Sequence, residues 1–201
     1  MRIDFYSISS FEQVQEFHNI MPIDNIPSVI EHGILSHEKA SKLLHADVSM
    51  AEVQDLRAEV QVTNGMKLHK YANLYFHARN PMMYVRRTEE VCILRVLKDV
   101  SILPGVVFSD RNASSNYTNF CSIGDTADLY YETIFSKYWN DDDPIITMIN
   151  KSMKCAEILV PDRVDYGLIF GAYVKNAVNK QKLFDKGFTK PIEIYSELFF
   201  Q

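Results

Sequence analysis

Apolar positions along this chain follow two rhythms, and the alternation between them lays out the elements. Val91-Cys92-Ile93-Leu94-Arg95-Val96-Leu97 is a nearly unbroken apolar run with the composition of a buried strand, and Val106-Val107-Phe108, introduced by Leu103-Pro104-Gly105, is another. Pro191-Ile192-Glu193-Ile194-Tyr195 supplies a late strand. Tyr75 and Phe76 suit a short one, and the chain must turn just after Arg79 because Asn80 precedes Pro81 and is pushed off helical backbone angles. Helical spacing dominates the first third. Asp24 followed by Ile26, Val29 and Ile30 predicts a capped helix that ends at Gly33. Ser49-Met50-Ala51-Glu52 is a capping-box pattern leading into Val53, Leu56 and Val60, which predicts a longer helix from about 49 to 61. Helices gathered early and strands spread through the middle and end predict an α+β domain rather than alternating βαβ units. With no internal repeat or low-complexity linker, one domain over residues 1–201 is expected.

A lone carboxylate interrupts the run Cys155-Ala156-Glu157-Ile158-Leu159-Val160, which Pro161 stops. Read as a strand, the period of two puts Cys155, Glu157 and Leu159 on one face and Ala156, Ile158 and Val160 on the other. Burying an ionised carboxylate is costly unless something pairs with it, so either Glu157 lines a pocket or the strand is an edge whose Glu points at water. Arg79 poses a similar choice. At a strand-to-helix corner its guanidinium can donate two parallel hydrogen bonds to a phosphate or carboxylate, or it can be a solvated side chain beside a structural Pro turn.

Composition narrows the class. At 201 residues, 47% hydrophobic and 12% aromatic, the chain can bury one sizeable core. Cys92, Cys121 and Cys155 form no close-spaced pair, and an odd count without a signal sequence reads as reduced thiols in a cytoplasmic protein. No apolar run approaches the ~20 residues that span a bilayer, so no membrane association is expected. A net charge of −5 argues against broad electrostatic coating of nucleic acid, so any such contact must be local.

Several constellations carry little. Asp141-Asp142-Asp143 before Pro144 reads as a turn or helix start, since three adjacent carboxylates cannot all face one ion. His32 and His37 flank Gly33 and lack the i, i+4 geometry of a helical metal pair, so no metal site is expected. Seven glycines form no phosphate loop, and Cys155 has no base beside it in sequence. The stretch from Asp110 onward is rich in amides and rings, including Asn112, Asn116, Tyr117, Tyr130, Tyr138 and Trp139, a composition that suits an unpaired base but also an ordinary surface. Lys137, with Lys151 or Lys154, is placed to meet phosphates.

Three stretches, in order, give the chain a resemblance to the DarT family, the toxin half of bacterial toxin-antitoxin pairs. Phe17 to Ser36, with His18, Asp24-Asn25-Ile26, Val29-Ile30 and Gly33-Ile34-Leu35-Ser36, is similar to the family's NAD-binding segment. Arg79-Asn80-Pro81-Met82-Met83-Tyr84 resembles its "Arg-Ser-Pro-Met-Leu-Tyr" stretch, and Lys154 to Asp165 resembles the segment with the catalytic Glu. Where the family shows a His-x-Thr-His pattern, counting back from Asp24-Asn25 finds Asn19, Met21 and Pro22, which leaves the nicotinamide-side contact to His18 or Asn19.

The resemblance implies an ADP-ribosyltransferase-like fold, two packed, mainly antiparallel sheets with surrounding helices and a central NAD cleft. It implies transfer of ADP-ribose from NAD, as co-substrate and without a metal, to a base in single-stranded DNA, with a macrodomain-type or related ADP-ribosyl hydrolase as antitoxin. Glu157 and Arg79 are the implied catalytic pair, with orientation and phosphate binding the safer role for a guanidinium of such high pKa. His18, Asn19, Ile20, Pro27, Leu35, Tyr75, Arg79 and Tyr84 are the implied NAD contacts, and Asp110, Arg111, Asn112, Asn116, Tyr117 and Lys154 the implied DNA contacts. Two other classes fit the residues: a nucleic-acid-cleaving toxin using His18, His32 or His37 without NAD, and a non-catalytic binding module in which Glu157 is structural.

Overall fold

A computed structural model describes residues 3–43 and 57–200. Ten strands are found there: β1 (Glu16–Pro22), β2 (Ile34–Leu35), β3 (Tyr71–Tyr75), β4 (Val91–Leu97), β5 (Val107–Ser109), β6 (Phe120–Cys121), β7 (Glu157–Pro161), β8 (Arg163–Val164), β9 (Ile169–Val174) and β10 (Ile192–Ile194). The helices are α1 (Ile26–His32), α2 (His37–Ala40), α3 (Pro81–Val85), α4 (Tyr131–Phe135), α5 (Pro144–Met153) and α6 (Ala177–Asp185), with residues 57–59 also helical. None of the described helices is long and apolar enough to cross a membrane.

Eight strands form one sheet in the order β10-β9-β4-β1-β3-β7-β5-β6, antiparallel except for the β9–β10 pair. The sheet is nearly two. β1 pairs with β4 along its full length, from Glu16↔Leu97 to Pro22↔Val91, and β3 pairs with β7 from Tyr71↔Pro161 to Tyr75↔Glu157. Between β1 and β3 the only recorded register is His18↔Tyr75. Two antiparallel strands that meet at one residue pair diverge beyond it, so the expected two sheets are present as half-sheets joined at a single point, with a cleft beginning there.

Core packing follows the apolar pattern. Phe17, Phe76, Phe108 and Phe135 are fully enclosed, and Phe76 meets each of the other three edge-on or tilted at 5.5–6.4 Å. A second sheet pairs β2 with β8, and here Gly33 has no substitute. Its φ is +79°, and a Cβ would lie 2.1 Å from the Val164 carbonyl oxygen.

The expected strands over 91–97, 106–108 and 191–195 appear as β4, β5 and β10. Of the two readings left open for the 155–160 strand the edge is excluded, because β7 lies between β3 and β5 and Glu157 to Val160 are buried. Asp24 does not cap α1. It sits in the preceding turn and pairs with Lys186 at 2.7 Å, while Asn25 precedes the helix and Pro27 occupies its first turn. Asp143 does cap α5, accepting from the Ile145 N–H at 2.7 Å. Most of the helix expected over 49–61 lies outside the described residues.

Candidate functional site

The registers of five strand pairs align one lateral row across the sheet: Ser109, Glu157, Tyr75, His18, Arg95 and Gly171. Residues paired directly across a sheet present their side chains to the same face. The row therefore sets the lone carboxylate, a tyrosine and a histidine side by side where the half-sheets part.

Glu157 is buried, 1% exposed, and both of its carboxylate oxygens are hydrogen-bonded. Arg57 donates to both oxygens in a two-pronged pair, Nη1 to Oε1 and Nη2 to Oε2, each at 3.0 Å, and the Ala113 backbone N–H donates to Oε1 at 3.0 Å. Ser109 Oγ accepts from the Glu157 backbone N–H at 3.1 Å and fixes the strand's first residue. Burial opposes the charge of Arg57, but the adjacent carboxylate and its hydrogen bonds outweigh it and hold the guanidinium's pKa above its ordinary value. Tyr75, beside Glu157 in the row, is held as the neutral phenol because burial and the carboxylate both oppose its ionisation.

His18 is also enclosed, but its partners point it inward. Its Nε2–H donates to Glu16 Oε1 at 2.9 Å, and its Nδ1 accepts from the Ala78 backbone N–H at 3.2 Å, which assigns the tautomer. Glu16 receives Arg95 Nε and Nη2 in turn, at 3.0 and 2.6 Å. Both ring nitrogens of His18 are thus occupied, and the ring braces the turn that carries Arg79. Asn19, the other expected nicotinamide-side residue, follows it on β1. Its Nδ2 donates across to the Asn73 carbonyl of β3 at 3.0 Å, while its buried Oδ1 has no partner among the described residues.

Arg79 lies where the sequence put it, between β3 and α3, and Asn80 caps that helix by accepting from the Met83 N–H at 3.0 Å. Its guanidinium does not touch Glu157. Nη1 donates to the carbonyl oxygens of Glu197 at 2.7 Å and Phe199 at 3.4 Å, the Cζ lies 4.1 Å from the Phe200 ring centroid, and buried Nε lacks a partner among the described residues. Ile20 is buried on β1, Pro27 is exposed on α1, Leu35 is partly buried opposite Arg163, and Tyr84 is 45% exposed.

The 110–117 loop is built around Asp110, whose oxygens accept from Arg111 Nε and Nη2 and from the Asn119 backbone and side-chain amides at 2.9–3.1 Å. Asn112 Oδ1 takes the Ser114 N–H and hydroxyl. Asp110, Arg111 and Asn112 therefore shape the loop, while Asn116 and Tyr117 are its exposed members, Tyr117 at 79%. Lys154 departs from expectation. It is completely enclosed, donating to the Ile134 carbonyl at 3.0 Å, to the Ser136 carbonyl and toward His77 Nδ1 at 3.4 Å, so it meets no phosphate. Desolvation lowers its amine to about 7 and holds His77 neutral.

Arg57, the clamp on Glu157, is the functional residue that sequence reasoning overlooked. Its signal was present: it lies four residues after Val53 and three before Val60, a cation on the apolar stripe of the expected helix. The remaining candidates dissolve. His37 stacks on His69 at 4.4 Å, His32 faces Glu31 at the surface, and no group of three His, Cys, Asp or Glu among the described residues is arranged to hold a metal. Cys155 is buried and its thiol pushed up to about 12, consistent with a packed residue.

Two half-sheets opening from one shared residue pair, with a buried, arginine-held glutamate beside it, define the ADP-ribosyltransferase class of fold. The structure superposes on Thermus sp. 2.9 DarT in complex with ADP-ribosylated ssDNA with a TM-score of 0.82 at 21% identity, covering 96% of this chain and 99% of that one. On the complex of the same protein with NAD+ the TM-score is 0.76. In sequence it is 28% identical over 180 residues to the DNA ADP-ribosyl transferase-DNA ADP-ribosyl glycohydrolase fusion protein of Thermosipho africanus, covering 83% of this chain. The chain spans only 44% of that relative's length. The family model described as ssDNA thymidine ADP-ribosyltransferase, DarT, matches residues 18–200, and the chain belongs to that family.

Proposed function

We propose that this protein is the toxin of a toxin-antitoxin pair that transfers ADP-ribose from NAD to thymine in single-stranded DNA and releases nicotinamide. The observation that carries this reading is Glu157, a buried carboxylate clamped by Arg57 at the point where the half-sheets diverge. Departure of nicotinamide, which takes the electron pair of its bond to the ribose, builds positive charge on the sugar, and a fixed carboxylate beneath it lowers that barrier. Arg57 orients the carboxylate, and the Ala113 N–H ties its position to the 110–117 loop. The base then bonds to the same ribose carbon, and Glu157 accepts the proton of the one ring nitrogen that bears a hydrogen in thymidine.

Two polar atoms without a partner among the described residues suit a dinucleotide. Asn19 Oδ1 offers an acceptor for the nicotinamide amide, and Arg79 Nε a donor for a phosphate. Ile20, Pro27, Leu35 and Tyr75 complete that side, and Asn116 and Tyr117 face the DNA. The Thermosipho relative joins a transferase to a glycohydrolase in one chain, and by that precedent the partner here is an ADP-ribosyl hydrolase that reverses the modification. Free thiols on all three cysteines and a DNA acceptor support a cytoplasmic location. The test is to incubate the protein with NAD and single-stranded oligonucleotides with or without thymine. Nicotinamide release coupled to the mass gain of one ADP-ribose on thymine-containing strands alone supports the reading; strand cleavage without NAD sinks it.

A further inference from the structure

Tyr84, Trp139 and Phe200 come from three distant parts of the chain and meet in one cluster of rings. Tyr84 lies 5.2 Å from Phe200 and 6.2 Å from Trp139, and Trp139 lies 5.5 Å from Phe200, all near edge-to-face. Rings that only fill a core are enclosed and satisfy their polar ends. Here Tyr84 is 45% exposed, Trp139 and Phe200 are half-buried, and the adjacent Tyr138 is 67% exposed. Two guanidiniums stack on the cluster, Arg79 on Phe200 at 4.1 Å and Arg87 on Tyr84 at 4.3 Å.

Chain connectivity links the cluster to the reactive row. Tyr84 belongs to the helix reached from β3 through the Arg79 corner, and Trp139 follows Ser136, whose carbonyl holds Lys154, three residues before Glu157. Open rings with stacked cations match a polymer in which bases alternate with phosphates, whereas a dinucleotide is ordinarily enclosed in a concave pocket. On a chain of net charge −5, such a local feature supplies what the overall field does not.

We infer that Tyr84, Trp139 and Phe200 form a stacking platform for an unpaired base of the DNA strand, next to the base that is modified, with Arg79 and Arg87 at its edges. This rests on the proposed single-stranded DNA acceptor and removes Tyr84 from the nicotinamide pocket. Trp139 is the chain's single tryptophan and reports on the site directly. Titrating the intact protein, without NAD, with a thymine-containing single-stranded oligonucleotide should quench its fluorescence saturably, while NAD alone should not. Tyr84→Ala should weaken oligonucleotide affinity about tenfold with the KM for NAD unchanged, and Tyr84→Phe, which keeps the ring, should restore it. Quenching by NAD but not by DNA, or a raised KM for NAD with DNA affinity intact, would overturn the platform. Transfer assayed in parallel separates the two ideas: quenching without transfer keeps the platform and defeats the enzymatic reading, and transfer without quenching does the reverse.

Discussion

At the scale of single residues, the Arg57–Glu157 pair makes two opposite demands on the same site. Both side chains are buried, so removing either leaves an uncompensated charge, a loss on the order of 3–5 kcal/mol. Arg57→Met should therefore lower the unfolding free energy by about that amount, and Glu157→Gln added to it should recover much of the loss, because the second change removes the orphaned charge. Chemical denaturation of the two single variants and the double variant checks this, and additive losses would show that the pair is not coupled. Activity should not recover with stability, since the double variant lacks the carboxylate. Arg79→Ala should act on another axis. Its guanidinium touches the Glu197 and Phe199 carbonyls rather than Glu157, so NAD affinity should fall while the unfolding free energy changes little. Calorimetric titration with NAD checks it, and unchanged affinity would confine Arg79 to the C-terminal segment.

Among the elements, the β7 strand and its lead-in show how a titratable group supports the site from behind. Lys154 ties α4 and the segment after it to the start of β7, with Nζ on the Ile134 and Ser136 carbonyls. The unfolded chain keeps a lysine proton up to about pH 10.5, whereas burial lets the native amine release it near 7. Between these values the unfolded state binds more protons, so the contribution of Lys154 makes stability rise with pH across that window. Lys154→Met should flatten the rise, measured as unfolding free energy from pH 6 to 10; an identical slope would mean that the amine stays charged in the fold.

The same elements show what could be read from the sequence. Strands β4, β5 and β10 were legible because unbroken β-branched and aromatic runs permit little else, and Glu157 stood out because one carboxylate in such a run needs a reason. What escaped reading were partners brought together by tertiary structure. Arg57 lies 100 residues from Glu157, and Lys154 looked like a surface cation because nothing local announces that α4 offers it carbonyls. His18 matched the family's imidazole in kind, but its direction depends on Glu16 and on Arg95, which lies 79 residues from Glu16.

For the whole molecule, the proposed function asks a small acidic chain to hold two ligands. On the proposed function the dinucleotide lies where the half-sheets part, and the 110–117 loop, tied to Glu157 through the Ala113 N–H, faces the DNA. Lacking a broad basic face, the protein should modify a single strand and leave its annealed duplex largely untouched, because bases in a duplex are stacked and paired. Equal labelling of both forms would misplace the acceptor site. Since neither bond breaking nor base attack calls for a cation here, exhaustive chelation should leave the rate unchanged; loss restored by one divalent metal would favour a nuclease.

The most direct test of the central claim is transfer of label from adenine-labelled NAD to a single-stranded, thymine-containing oligonucleotide by the intact protein and by Glu157→Gln, with circular dichroism and NAD binding measured on both. The predicted result is intact, labelled DNA with the wild type, and a rate lower by about 10² or more for the variant, as for removal of a group that acts mainly on the transition state, with fold and NAD affinity retained. A folded Glu157→Gln protein that labels DNA at the wild-type rate would contradict the account.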